Sequence, residues 1–220
     1  MNVQAKYWYL KDFNLAKKIG MRKMMELCDL LEMKHYDKGE KIEYTNPKSV
    51  VFLKKGSVKI MDGVSNQIKY LAKSGNIFGQ LYNSEELGTF KEFAIALDDV
   101  IVCFIEIEMM EELMSEHASL KNSVVKIQSF RIRKLERRLS DLVNKDSTTR
   151  IREFLISFAK ENGEQKENGL ESVNFLSHKD IAQLTNTSRQ TVNNVLTQLR
   201  KKGEIEYSRK SILIKPIFFN

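Results

Sequence analysis

Hydrophobic positions recur along this chain with three different periods. Leu15, Ile19, Met24, Leu27, Leu30 and Leu31 fall at helical spacing and predict a short helix over 13–33. From His35 to about Ile107 the texture changes. Short β-rich runs (Lys41–Tyr44, Val50–Lys54, Val58–Met61, Ile68–Ala72 and Val100–Ile105) alternate with turn signals such as Lys38-Gly39-Glu40, Asn46-Pro47, Lys55-Gly56 and Asp62-Gly63. Short strands at regular spacing predict a sandwich or barrel. Met109 to Lys145, without Gly or Pro, is the longest helical pattern. Within it Ala118, Lys121, Val125, Gln128, Ile132, Leu135, Leu139 and Leu142 step by three and four, which is a heptad seam. A helix of that length cannot bury such a seam against a small domain alone. The seam therefore predicts a parallel two-fold dimer interface built from Val125, Gln128, Ile132, Leu135, Leu139 and Leu142, with Lys121 and Gln128 tuning the register.

The polar break Asp146-Ser147-Thr148 is the expected boundary and hinge, with Ser147 or Thr148 capping a further helix through Ile151, Phe154, Leu155 and Phe158. Residues 162–168 read as an exposed loop. Behind them, Ser177 with Asp180 three positions on forms a capping-box variant that opens a short helix. Thr185-Asn186-Thr187 makes a turn, and Ser188 caps a second helix. The apolar Val192, Val195, Leu196 and Leu199 face inward, leaving Arg189, Gln190, Asn193, Asn194 and Thr197 outside. Gly203 ends that helix after Arg200-Lys201-Lys202, and Glu204–Tyr207 and Ser211–Lys215 form a hairpin tipped by Ser208-Arg209-Lys210. Two closely spaced helices followed by a small ribbon predict a winged helix-turn-helix, whose usual target is double-stranded DNA.

Charge agrees with that target. The net charge is +7, but residues 1–117 carry 16 Lys+Arg against 18 Asp+Glu, whereas residues 118–145 carry 8 against 2. Cationic side chains displace the counterions condensed on phosphates. In the major groove, the Arg189 fork fits guanine, Gln190 and Asn194 suit adenine, and Asn193 is a further base-reading candidate. The hydroxyls of Thr187 and Ser188 grip phosphate, and Arg209 and Lys210 reach the neighbouring backbone. Two cysteines are too few for a disulfide framework, no apolar run approaches a membrane span, and no secretory signal opens the chain. A cytoplasmic protein is expected, with no membrane partner. Cys28 and Cys103 read as small core residues, and His35, His117 and His178 share no ligand spacing, so no metal is expected. Tyr7, Trp8 and Tyr9 read as packing aromatics.

With these motifs in place, the chain resembles the cAMP receptor protein / fumarate–nitrate reduction regulator (Crp/Fnr) family of bacterial transcription factors. The most specific match is Ser188-Arg189-Gln190-Thr191-Val192, close to the family's Ser-Arg-Glu-Thr-Val. Lys38-Gly39-Glu40, Lys55-Gly56-Ser57-Val58 and Gly75-Asn76-Ile77-Phe78-Gly79-Gln80 resemble turns of the family's jelly roll. The resemblance implies an α+β chain: a jelly-roll, cyclic-nucleotide-binding-like domain over 1–108, a dimerisation helix over 109–145 and a winged helix-turn-helix over 146–220. It implies a homodimer on a pseudo-palindromic operator and contact with RNA polymerase. It also places Ser177, His178, Lys179 and Thr148 near DNA phosphates, and a possible effector pocket at Gly79, Gln80, Leu81, Lys91, Leu135 and Glu136.

Two departures matter. Gln190 stands where the family has Glu, which predicts a shifted operator. Gln80 stands where cAMP-binding relatives place Glu, Lys91 is the sole cation from Gln80 to Val100, and Phe130–Leu139 holds neither Thr nor Ser. An anionic phosphate without a bidentate partner is poorly held, so cAMP is not expected and no cofactor is assigned. The alternative is a regulatory module acting through protein contacts with an unidentified small-molecule effector. A cupin enzyme lacks its metal cluster here, and no catalytic set is expected.

Overall fold

The computed structural model describes residues 20, 22, 28, 31–45, 48–81, 91–208 and 210–219. The expected helix over 13–33, the Tyr7–Tyr9 aromatics, the Asn46-Pro47 turn and Arg209 thus fall largely or wholly outside the described residues. The chain divides into two compact units, Met1–Arg133 and Lys134–Asn220.

The first unit is a β roll of two four-stranded sheets. One has the order β1 (Glu32–Tyr36), β8 (Val100–Glu106), β3 (Ser49–Lys55), β6 (Ile77–Gly79). The other has the order β2 (Lys41–Glu43), β7 (Glu92–Ala96), β4 (Ser57–Asp62), β5 (Ile68–Lys73). Every pairing is antiparallel. Residues 49–53 of β3 are buried without interruption, because the strand is covered on both faces. Val51 and Leu53 belong to the interior cluster with Val58, Ile60 and Phe78. Val50 and Phe52 belong to a second cluster with Cys28, Cys103, Met110 and Leu120. Both cysteines are free and buried, as core residues.

The long helical pattern is corrected in one place. It is two helices, α1 (Ile107–Glu116) and α2 (Ala118–Asn144), broken at His117. His117 takes extended angles, donates its N–H to the Leu113 carbonyl and accepts from Leu120 and Lys121. It thereby ends one helix and starts the next without Gly or Pro. The bend lets Met110 and Leu113 of α1 and Leu120 and Val124 of α2 enter the same core cluster. Glu32 and Met33, expected to be helical, open strand β1 instead.

Beyond Val124 most of the heptad seam is exposed within this chain. Val125, Ile132, Leu135 and Leu139 are 55–65% exposed, and Gln128 and Leu142 are half-buried.

In the second unit, α3 (Ser147–Asn162) is capped by Asp146, whose Oδ1 accepts from the Thr149 N–H at 2.7 Å. The expected cap at Ser147 or Thr148 lies one or two residues too late: Asp146, just before the first turn, takes the Thr149 N–H. Residues 162–168, expected to be a loop, mostly form β9 (Gly163–Lys166), which pairs with β10 (Gly169–Val173). There follow α4 (His178–Thr185), α5 (Arg189–Lys201), β11 (Ile205–Tyr207) and β12 (Ser211–Ile214). The sheet order is β11-β12-β10-β9. Phe218 docks the tail: it is 2% exposed, with the Arg152 guanidinium 4.3 Å from its ring centroid.

Candidate nucleic-acid interface

The two-helix segment is built as its sequence requires. Ser177 Oγ accepts from the Asp180 N–H at 3.1 Å, and Asp180 Oδ2 accepts from the Ser177 N–H at 2.9 Å. This reciprocal box satisfies orphan donors at the start of α4. Asn186 adopts the left-handed conformation that ends α4 (φ 50°, ψ 55°). Ser188 Oγ then accepts from the Thr191 N–H at 2.9 Å and caps α5. Val192, Val195, Leu196 and Leu199 are all at most 4% exposed. Arg189, Gln190, Asn193, Asn194 and Thr197 are exposed on the opposite face.

The structure gathers part of the expected set into one cleft of about 450 Å³, lined by His178, Arg189, Gln190 and Asn193. Asn194 is exposed on the same helix, outside that lining. Ser177, Lys179 and Ser188 are exposed at the two helix starts, and Thr187 is half-buried, 3.2 Å from the Thr185 hydroxyl. Thr148 is exposed in the first turn of α3. Lys210 is exposed at the hairpin tip, where Ser208 Oγ accepts from the Lys210 and Ser211 N–H groups.

Three side chains that the sequence reading did not single out hold this arrangement. Arg150 donates to the carbonyls of Lys145 (2.6 Å), Thr185 (3.0 Å) and Asn186 (3.2 Å), so one guanidinium fastens the turn between α4 and α5 to α3. Arg138 donates to the Gln183 carbonyl at 3.1 Å. Asn174, 6% exposed, donates to the Ser208 carbonyl and accepts from the Leu176 N–H, tying the hairpin to the lead-in of α4. The contacts that tie separate elements together reach backbone carbonyls 34–45 residues away, so no local motif marks them.

The effector positions are spread over both units. Gly79 closes β6 at φ +87°, where a Cβ would stand 2.4 Å from the Ser49 carbonyl oxygen. Gln80 is half-buried, Leu81 is a core residue at 4% exposure and Lys91 is exposed. Leu135 and Glu136 belong to the second unit and are exposed. Inside the roll lies a polar group that the sequence reading missed. Glu92 is 7% exposed, ion-paired with Lys69 and accepting from the Tyr44 hydroxyl at 3.3 Å. Burial, reinforced by Glu92, pushes the Tyr44 phenol well above its ordinary range. Burial likewise pushes Tyr70 up to about 12, against the Arg131 guanidinium that lies over its ring. Among the described residues no cluster of three or more His, Cys, Asp or Glu could hold a metal ion, and no helix is long and apolar enough to cross a membrane.

A β roll, a long helix and a winged helix-turn-helix with a polar recognition face define a DNA-binding regulator class. Residues 149–216 match the family model of the Crp-like helix-turn-helix domain. The CRP-like cAMP-activated global transcriptional regulator of Mycobacterium tuberculosis is 26% identical over 163 residues, covering 72% of this chain and 72% of that protein. The global nitrogen regulator of a Nostoc species is 28% identical over 174 residues, covering 76% and 78%. A CooA mutant from Carboxydothermus hydrogenoformans superposes with a TM-score of 0.73 at 21% identity, covering 94% of each chain. FixK2 from Bradyrhizobium japonicum gives 0.69 at 20% identity, covering 84% of this chain and 92% of that one. Residues 149–216 thus belong to the Crp-like helix-turn-helix domain family, and the chain as a whole is similar to Crp/Fnr transcription regulators.

Proposed function

We propose that this protein is a homodimeric, sequence-specific regulator that reads a pseudo-palindromic operator. One observation carries the reading: α5 buries its whole apolar stripe and leaves Arg189, Gln190, Asn193 and Asn194 on the open face. In the major groove Arg189 contacts guanine and Gln190 and Asn194 contact adenine. Ser177, His178, Lys179, Thr187, Ser188, Thr148, Arg209 and Lys210 contact phosphates and set the register. Two copies join along the exposed seam of α2, which spaces the recognition helices about one helical turn of DNA apart. Transcription is controlled through RNA polymerase, as the family resemblance implies.

The effector is not cAMP. Gln80 and Lys91 offer no bidentate partner for a cyclic phosphate, and Glu92 places a carboxylate inside the roll. The test is selection of bound sequences from a randomised duplex pool, with the natural chain and with Gln190→Glu. A conserved two-fold site that changes at one symmetric step, from an A·T to a C-bearing pair, is expected. The same base at that step in both selections, or no enriched site, overturns the reading.

A further inference from the structure

We propose that His178 is a proton-linked contact to the DNA backbone, so that each half-site takes up a proton as the duplex docks; this rests on the DNA-binding reading above. His178 is the first residue of α4, and its half-buried ring forms one wall of the cleft whose other walls are Arg189, Gln190 and Asn193. A titratable ring and the base-facing side chains thus share one space. A phosphate seated in that space would lie beside the imidazole.

The surroundings of His178 set the sign. From α5 it faces the Arg189 guanidinium, and from β11 the Tyr207 ring, 5.4 Å away between centroids. Burial raises the Tyr207 phenol, which stays neutral through the histidine range. On its own helix, Asp180 is engaged by Ser177 in the capping box, and Lys179 is exposed. Burial, then Arg189, hold His178 below its ordinary value, so the free protein carries it neutral near pH 7. A phosphodiester in the cleft offsets the guanidinium and favours imidazolium. The pKa is then higher in the complex than in the free protein. Affinity therefore rises as pH falls from the bound pKa to the depressed free pKa, and is level outside that window. The steepest slope is one proton per half-site, about tenfold per pH unit.

The experiment is a set of anisotropy titrations of the full chain against its selected duplex, from about pH 5.5 to pH 8.5 at fixed ionic strength. Expected is a natural chain that tightens toward acid by up to about tenfold per pH unit per half-site, and a His178→Gln chain that lacks this component. His35 and His117 remain in that variant and report any unrelated histidine effect. Parallel curves for the two chains overturn the inference and leave the DNA reading standing. Absence of binding at every pH overturns both. Should His178→Gln fail to fold, calorimetry of the natural complex in two buffers of different ionisation enthalpy counts the protons directly. Uptake near zero at about pH 6.5 then overturns the inference.

Discussion

Helices α2 and α5 both carry an apolar stripe that is plain in the sequence, and the fold treats them in opposite ways. In α5, Val192, Val195, Leu196 and Leu199 are at most 4% exposed, and the polar side chains are left to solvent. In α2, Val125, Ile132, Leu135 and Leu139 are 55–65% exposed, and the buried residues Leu120, Ser123 and Val124 lie at its start. A stripe that the fold covers makes the opposite face available for chemistry. A contiguous apolar seam left uncovered marks an association surface. On the proposed reading, α5 meets DNA with what it leaves outside, and α2 is completed by a second copy of the chain.

The largest expected effect follows from that contrast. Replacing Leu135 and Leu139 together by Glu places like charges along the seam of both copies. Neither residue is part of a core, so the folded chain is retained. Sedimentation should show a monomer, and operator affinity should fall by about a hundredfold or more, since two half-sites no longer bind as one unit. A double variant that stays dimeric and binds normally would show that the seam of α2 is not the interface.

A smaller effect is expected within the winged unit. Arg150→Met removes the three donated bonds to the Lys145, Thr185 and Asn186 carbonyls. The cost is about 2–3 kcal/mol in denaturant unfolding, because the part-buried Lys145 and Thr185 carbonyls lose a charged donor. DNA affinity should fall for all sequences alike, since the turn that aims α5 loosens while its base-facing residues are intact. Arg150→Lys should restore little of either. A flexible ammonium does not reproduce a planar fork that spans separated carbonyls.

How far the sequence foretold these parts depends on the range of the interaction. The Ser177–Asp180 box, the Ser188 cap and the inward set of α5 are contacts within four residues, and each is found where local spacing puts it. Arg150 meets carbonyls 35 and 36 residues away, and Asn174 a carbonyl 34 away. No periodicity encodes such pairs. Glu92 alternates correctly in β7, but its charge disguises a buried position that only Lys69 and Tyr44 explain. The β9–β10 hairpin was hidden for a related reason. Glu164, Gln165 and Lys166 are all exposed, so β9 carries no apolar face to betray a strand. At His117 the helix breaks because two helices share one core, a tertiary cause without a local signal.

The smallest expected effect isolates charge from structure. At the hairpin tip the backbone of Lys210 is pinned: its N–H donates to Ser208 Oγ at 3.1 Å, and its carbonyl accepts from the Asn174 N–H at 2.8 Å. Its side chain is exposed. Lys210→Ala therefore keeps the turn and removes one cation. If that cation neutralises a phosphate, the slope of log affinity against log salt should fall by about one per half-site. The loss should be the same for operator and unrelated duplexes, because phosphate carries no sequence. Arg189→Ala is the counterpart, losing about 1–3 kcal/mol at one symmetric base pair with the salt slope largely kept. A base-selective loss from Lys210→Ala would move the hairpin tip from positioning to readout, and with it part of the specificity assigned to α5.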